Sequence, residues 1–196
     1  MTLLENEVQL VTDVCTRLRA LASRGAPPLT VLELGCGTGK LARHLHELLP
    51  EVAMIGIDPD RSKVAKAQQQ TSALSFSVQS AEQLAFKPQA FDAVVSLKAL
   101  HEFPRPQAAV EEAYRVLRVE GRVYLIDWIR GVPVTVGHRH APNYFSPERL
   151  TDLLATTGFT GVTLTAARAA GLMLAEAVKH VAGGDSHGRC NSVLYV

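Results

Sequence analysis

Short apolar segments alternate with amphipathic segments along most of the chain. Five apolar segments have the length of buried strands: residues 31–34, 52–57, 74–78, 91–96 and 122–126. The intervening segments carry apolar residues at helical spacing, as in Leu41, Leu45 and Leu48. Strands that are apolar throughout must be covered on both faces. The pattern therefore predicts an α/β fold with a doubly wound, mostly parallel sheet.

Further elements are predicted at both ends of this alternation. The apolar residues Leu4, Val8, Val11, Cys15, Leu18 and Ala22 recur at steps of three and four, which predicts an N-terminal helix that ends before Gly25. A serine followed by proline at 146–147 predicts the start of another helix, which a glycine at 158 closes. Two more strands are expected near 161–165 and 172–178, and residues 191–196 are a candidate extra strand or interface segment.

The chain has 196 residues, of which 47% are hydrophobic, as expected for one globular domain. We expect an N-terminal helix within residues 1–28, a core over 29–178 and a tail over 179–196. The 20 basic and 19 acidic residues give a net charge of +1, which disfavours binding nucleic acid mainly through its phosphates.

Targeting and redox signals are weak. The first seven residues lack the positive flank and apolar stretch of a signal peptide, and no apolar run approaches the ~20 residues needed to cross a bilayer. Cys15, Cys36 and Cys190 are widely spaced and form no CxxC pair. We therefore expect a cytoplasmic protein without membrane association, disulfide framework or metal site.

A glycine-rich turn follows the first predicted strand, with Gly35, Gly37 and Gly39 at alternate positions. Alternating glycines let the backbone turn sharply and approach a ligand closely. The turn stands at the carboxyl end of a strand, where open α/β sheets bind ligands. Asp58 ends the next strand and is placed to bind a ribose diol. Together these features predict a nucleoside cofactor.

The spacing of the glycines separates classes of cofactor. The dinucleotide fingerprint GxGxxG needs a glycine where the chain has Lys40, which disfavours a dehydrogenase. The phosphate loop GxxxxGK[ST] is also absent from this turn.

The pattern Glu33-x-Gly35-x-Gly37-x-Gly39, followed by Asp58, resembles motif I and the second-strand acid of class I S-adenosylmethionine-dependent methyltransferases of the type 11-like kind. Residues 79–82, 91–97 and 112–122 resemble further motifs of this family, in the family's order. The similarity extends to the cofactor motifs of quinone-biosynthesis C-methyltransferases. It implies a Rossmann-like, seven-stranded sheet with helices on both faces and an antiparallel last strand.

The resemblance also implies S-adenosylmethionine as cofactor and S-adenosylhomocysteine as product. The glycine loop would pass beneath the methionine part, Glu33 would lie near its amino group, and Asp58 would hold the ribose. The residues implied in cofactor binding are Glu33, Gly35, Cys36, Gly37, Gly39, Asp58, Pro59, Ser80, Ala81, Glu82 and Leu97. Ser80 departs from the aspartate of many relatives, so a neutral hydrogen bond would replace a charge-assisted one at the adenine.

His101 follows the fourth strand and is the candidate catalytic base, because histidine accepts protons near neutral pH. A role as a wall of the cofactor pocket is the alternative. Its neighbours Lys98 and Glu102 are expected to be solvated or structural. Asp127 and Trp128 end the fifth strand, at the edge where an acceptor is expected.

The segment 129–145 is expected to form a flap over the substrate, with His138, His140 and Tyr144 as candidate acceptor-binding residues. Two histidines without a third ligand favour an exposed polar loop over a metal site. The tail residues His180, His187 and Cys190 match no standard zinc spacing.

The function predicted is methyl transfer to a small-molecule acceptor. No Asn/Asp-Pro-Pro-Tyr/Phe run follows the fourth strand, which disfavours methylation of DNA or amides. The expected partners are the acceptor and, as a candidate, a second copy in a homodimer, with no nucleic acid and no membrane. An S-adenosylmethionine-binding regulatory or scaffold module without catalysis is the alternative function.

Overall fold

A single twisted sheet runs through the molecule. In this computed structural model we describe residues 3, 5–24, 28–132, 143–180 and 192–195. In the described residues the sheet has eight strands, in the order β3-β2-β1-β4-β5-β7-β6-β8. These strands are β1 (Thr30–Leu34), β2 (Ala53–Asp58), β3 (Ser75–Val78), β4 (Phe91–Leu97), β5 (Leu117–Trp128), β6 (Phe159–Ala167), β7 (Leu172–Lys179) and β8 (Ser192–Tyr195).

The strand directions confirm the predicted fold class. Strands β1 to β5 pair in parallel, whereas β7 runs antiparallel to both β5 and β6. The seven predicted strands are present, and β8 pairs in parallel with β6 as an additional strand. The first four predicted strands agree with the structure to within one residue at each end.

Helices cover both faces of the sheet. They are α1 (Glu5–Ala22), α2 (Lys40–Leu48), α3 (Arg61–Gln70), α4 (Pro106–Val116) and α5 (Pro147–Thr157), with short 3₁₀ turns at Leu100–Glu102 and Arg168–Ala170. Buried apolar residues of α1, α2 and α3 share one core with the sheet, and those of α4 and α5 form a second core on the opposite face. No helix in the described ranges is long and apolar enough to span a bilayer.

Local sequence explains where helix α5 begins and ends. The Ser146 hydroxyl accepts a hydrogen bond from the Arg149 amide, and Pro147 occupies the first helical position. Gly158 ends the helix in the left-handed conformation at φ 108°. The predicted caps at both ends are confirmed.

The buried face of α1 differs from the predicted face. Val8 was expected in the buried stripe but is 43% exposed. The buried stripe instead consists of Glu7, Leu10, Val11, Val14, Cys15 and Leu18. A carboxylate thus lies within an otherwise apolar stripe, and it reaches the functional edge of the sheet.

Strand β5 begins earlier than predicted, at Leu117 directly after α4. Its pairing with β4 shifts register between Phe91 and Ala93, where the additional residues are accommodated. Asp127 and Trp128 end the strand, as predicted, at the same sheet edge as the ends of β1, β2 and β4.

Candidate active site

A cavity of about 330 Å³ lies at the carboxyl ends of β1, β2 and β4. Its walls come from the segments that follow these strands and β3, where parallel α/β sheets place their ligands. The predicted cofactor residues among them are Glu33, Gly35, Cys36, Gly37, Asp58, Pro59, Ser80, Ala81, Glu82 and Leu97. Gly39, which was also predicted to bind the cofactor, is not among the described residues that line the cavity.

The three glycines of the loop all adopt left-handed backbone conformations, but they serve different needs. A Cβ at Gly35 would lie 2.4 Å from the Ala99 Cβ, and one at Gly39 would lie 2.7 Å from the Phe76 ring. A Cβ at Gly37, with φ +53°, would meet no heavy atom of the described residues within 4 Å. Gly35 and Gly39 therefore allow close packing of the protein on itself, whereas Gly37 leaves space open at the cavity wall.

Asp58 fixes this loop from the end of the neighbouring strand. It is 6% exposed, and its Oδ2 accepts a hydrogen bond of 2.9 Å from the Gly37 amide. Its Oδ1 accepts another of 2.9 Å from the Asp60 amide. Each carboxylate oxygen can accept more than one hydrogen bond, so Asp58 retains capacity for a hydroxyl in the cavity.

Glu33 lies deeper, inside β1, and is 2% exposed. Its Oε2 accepts a hydrogen bond of 3.1 Å from the Ala42 amide in the first turn of α2. Burial raises the pKa of Glu33 to about 8, although the Ala42 amide favours the charged form. Since Glu33 also lines the cavity, a cationic ligand group there would stabilise its ionised form.

The loop after β3 is held in place by ion pairing. Glu82 accepts from the Arg105 amide at 2.8 Å and from the Arg105 Nε at 2.9 Å. The Ser80 hydroxyl accepts from the Glu82 amide at 3.2 Å. The Ser80 and Glu82 side chains thus organise this wall of the cavity, and both face solvent in part.

His101 and Asp127 form a buried pair. The His101 Nδ1 lies 2.6 Å from the Asp127 Oδ1, and the Asp127 Oδ2 accepts from the His101 amide at 3.0 Å. A carboxylate at Nδ1 favours the tautomer that carries its proton there, which leaves Nε2 as the basic nitrogen. His101 is 3% exposed and is not among the described residues that line the cavity. The adjacent Glu102, whose side chain is half exposed, does line it.

Asp127 and Tyr144, predicted to contact an acceptor, pack around His101 and do not belong to the described cavity lining. Asp127 is 0% exposed and also accepts from the Trp128 amide at 2.7 Å. The Tyr144 ring lies edge-on to His101, with centroids 5.1 Å apart, and stacks on Trp128. Burial raises the pKa of Tyr144, with smaller contributions from the charges of Asp127 and Glu102. His138 and His140 lie outside the described residues.

Five charged residues that line the cavity were not predicted as functional: Glu7, Lys40, Lys63, Lys98 and Glu102. Glu7 of α1, Lys40 at the start of α2 and Lys98 after β4 all line the cavity. The Lys40 ammonium lies 2.5 Å from one Glu7 oxygen, and Lys98 forms an ion pair with the other. The acidic residue within the apolar stripe of α1 is the sequence signal that could have identified this cluster.

Comparison with known proteins shows what the central part of the chain is similar to. Residues 32–125 match the family described as "Methyltransferase domain". Over this range the chain resembles a methyltransferase domain. The matched range includes the glycine loop, Asp58 and His101, whereas Glu7, Asp127 and Tyr144 lie outside it.

A curated relative of this chain is the ubiquinone/menaquinone biosynthesis C-methyltransferase UbiE of Rhizobium leguminosarum bv. trifolii (strain WSM2304). The two are 31% identical over 121 residues, which are 57% of this chain and 46% of the relative. The match therefore spans about half the length of that protein.

Solved structures show the same fold. The plantazolicin methyltransferase BpumL, in complex with a desmethyl plantazolicin analogue and S-adenosylhomocysteine, superposes with a TM-score of 0.72 at 14% identity, over 88% of this chain and 85% of that one. The [4+2]-cyclase SpnF superposes with a TM-score of 0.68 at 21% identity, over 85% and 82%. At these identities the likeness concerns the fold, and the reaction must be argued from the site.

Proposed function

We propose that this chain binds S-adenosylmethionine in the cavity and transfers its methyl group to a small-molecule acceptor. The observation that carries the proposal is the open position at Gly37 beside the Asp58 carboxylate. A Cβ there would project into space where no described residue lies within 4 Å, at a backbone angle that glycine adopts without strain. The residues present therefore fit the cofactor that the family uses.

Each part of the cofactor has a candidate partner in the cavity wall. Asp58 would accept hydrogen bonds from the ribose hydroxyls, and Glu33 would hold the methionine ammonium. Pro59, Ala81 and Glu82 would border the adenine. Cys36 lines the cavity, where burial raises the pKa of its thiol and keeps it neutral. Cys36 thus contributes packing and no nucleophile.

Bound S-adenosylmethionine supplies a methyl group on a positively charged sulfur, which is already a strong electrophile. The chain's own contribution is then to align the acceptor, exclude water and receive a proton where the acceptor carries one. His101 is the proposed base, with Nε2 as the receiving atom on the Glu102 side of the cavity. Asp127 is its positioning residue, because it holds the proton on Nδ1 and the orientation of the ring.

The acceptor is proposed to be a small molecule. The net charge of +1 offers no excess of cations for a nucleic-acid track. The Rhizobium relative is named as a C-methyltransferase of ubiquinone and menaquinone biosynthesis. A quinone-related ring compound is therefore a first choice in a screen.

The experiment combines cofactor binding with methyl transfer. Calorimetric titration with S-adenosylmethionine, S-adenosylhomocysteine and NAD should give binding of the first two and none of the third. Incubation with methyl-labelled cofactor and a panel of ring compounds, phenols, thiols, carboxylates and amines should then yield a labelled product that the His101→Ala variant forms more slowly. No binding of either adenosyl ligand at millimolar concentration would contradict the proposal. Binding without transfer to any acceptor would favour the regulatory module.

A further inference from the structure

Two lysines converge at one end of the cavity. Lys40 begins α2 directly after the glycine loop, and Lys98 follows the last residue of β4. Their ammonium groups contact opposite oxygens of the same Glu7 carboxylate, which brings the two cations close together. Like charges at such a distance repel, so the Glu7 carboxylate is what allows both to remain there.

The three side chains of the cluster differ in burial. The Glu7 side chain is 0% exposed, whereas those of Lys40 and Lys98 are 15% and 21% exposed. The carboxylate therefore lies behind the two ammonium groups, which are the more accessible members at the cavity surface. Each ammonium has three donors and uses one on Glu7, so donors remain for a second acceptor.

The position of Lys98 is fixed by several independent contacts. Its backbone adopts a left-handed conformation at φ +52°, which is uncommon for a residue with a side chain. Its amide donates to the Ile126 carbonyl at 2.7 Å, and its ammonium lies 5.1 Å from the centroid of the Trp128 ring. A lysine held in this way is preorganised and loses little side-chain freedom on binding a ligand.

The charge of the cluster determines what it can bind. Among the described residues, this cluster has two ammonium groups and one carboxylate, whereas the other walls carry the acidic residues Glu33, Asp58, Glu82 and Glu102 and one further lysine, Lys63. We propose that Lys40 and Lys98 form a carboxylate-binding subsite of the cavity, built on Glu7 of α1. Both lysines lie inside the range 32–125 that matches the methyltransferase family, whereas Glu7, which holds them together, comes from α1 outside that range.

A ligand carboxylate could come from the amino-acid part of the cofactor or from an acidic acceptor. The first source rests on the proposed function, and two titration pairs distinguish the sources. One pair is S-adenosylhomocysteine and its analogue with hydrogen in place of the α-carboxylate. The other pair is benzoate and benzamide, titrated with and without S-adenosylhomocysteine.

Substitutions of the two lysines test whether the preference for a carboxylate ligand depends on them. Lys40→Met and Lys98→Met should each reduce binding of the carboxylate member of one pair by about 10- to 100-fold, as expected for loss of a hydrogen bond between charged groups. Binding of the neutral partner should change by less than about twofold. Lys98→Arg should restore part of the preference, because it keeps the charge. Lys66→Met removes an exposed lysine of α3 as the matched control and should change neither pair.

The outcomes separate the subsite from the proposed function. A preference within the S-adenosylhomocysteine pair that the lysine variants remove assigns the subsite to the cofactor. A preference for benzoate that they remove assigns it to an acidic acceptor. The subsite would be overturned if the unmodified chain bound the carboxylate ligand and its neutral partner with equal affinity in both pairs. It would also be overturned if Lys40→Met and Lys98→Met each weakened binding of the carboxylate and neutral members of a pair by the same factor. Failure of S-adenosylhomocysteine to bind at all would contradict the proposed function instead.

Discussion

Asp58 and Asp127 occupy comparable places in the two halves of the sheet, yet their carboxylates have different surroundings. Asp58 ends β2 and Asp127 stands one residue before the end of β5, and both are almost fully buried. Asp58 accepts hydrogen bonds from the glycine loop and lines the cavity. Asp127 accepts from His101 and Trp128 and lies behind the cavity wall.

The difference arises from what stands next to each carboxylate. Beside Asp58, Gly37 has no side chain, so the space in front of the acid stays open. Beside Asp127, the Tyr144 ring packs edge-on against His101 and stacks on Trp128. One aspartate is thus placed to contact a ligand, and the other is placed to act through a histidine.

The largest expected effect comes from removing the Asp58 carboxylate. Asp58→Ala should weaken S-adenosylhomocysteine binding at least about 100-fold, because two hydrogen bonds to a charged group are lost. Isothermal titration calorimetry measures the effect, and Asp152→Ala, which removes an exposed carboxylate of α5, is the control. An affinity unchanged in Asp58→Ala would mean that the ribose lies elsewhere.

A smaller effect, on turnover alone, is expected from Asp127→Asn. The amide cannot hold the Nδ1 proton as the carboxylate does, so the methyl-transfer rate should fall by about 100-fold, the lower end of the range for general base catalysis. Affinity for S-adenosylhomocysteine should stay within about twofold of the unmodified chain. If binding and turnover fell together, with an unfolding midpoint unchanged, Asp127 would belong to the cofactor site and the contrast with Asp58 would disappear.

The contrast between Asp58 and Asp127 is predictable from the sequence only where it depends on local contacts. The placement of Asp58, Leu97 and Asp127 at one sheet edge follows from the strand pattern, which is local. The direction in which Asp127 points depends on packing with His101 and Tyr144, which are distant in sequence. The Glu7 cluster required the docking of α1 on the sheet, which an ion pair of 2.8 Å between Arg17 and Glu176 secures.

A third acid at this edge, Glu33, should make cofactor binding depend on pH. Burial raises its pKa from 4.5 to about 8, so the folded state favours the protonated form. Its contribution to stability is therefore fully present below about pH 4.5 and is lost as the pH rises towards 8.

The ammonium of the cofactor favours the ionised carboxylate, so affinity should change in the opposite sense. S-adenosylhomocysteine should bind up to about tenfold more tightly at pH 8.0 than at pH 6.5, as linkage to a group that titrates near 8 requires. Glu33→Gln should flatten this dependence. A profile that is equally steep in both proteins would assign the titration to another group.

The most direct test of the cofactor site compares two glycines that differ in location but share a backbone conformation. Gly37 and Gly161 have φ of +53° and +59°, and a Cβ at either would meet no described heavy atom within 4 Å. Alanine at each should cost a similar strain of about 1–2 kcal/mol, but Gly37 lines the cavity and Gly161 lies in β6. The measurement is a pair of calorimetric titrations with S-adenosylhomocysteine. Gly161→Ala should bind this ligand as the unmodified chain does. Gly37→Ala should bind it at least about tenfold more weakly, because the added side chain blocks close approach of the backbone to the ligand. Equal affinities of the two variants would contradict the account.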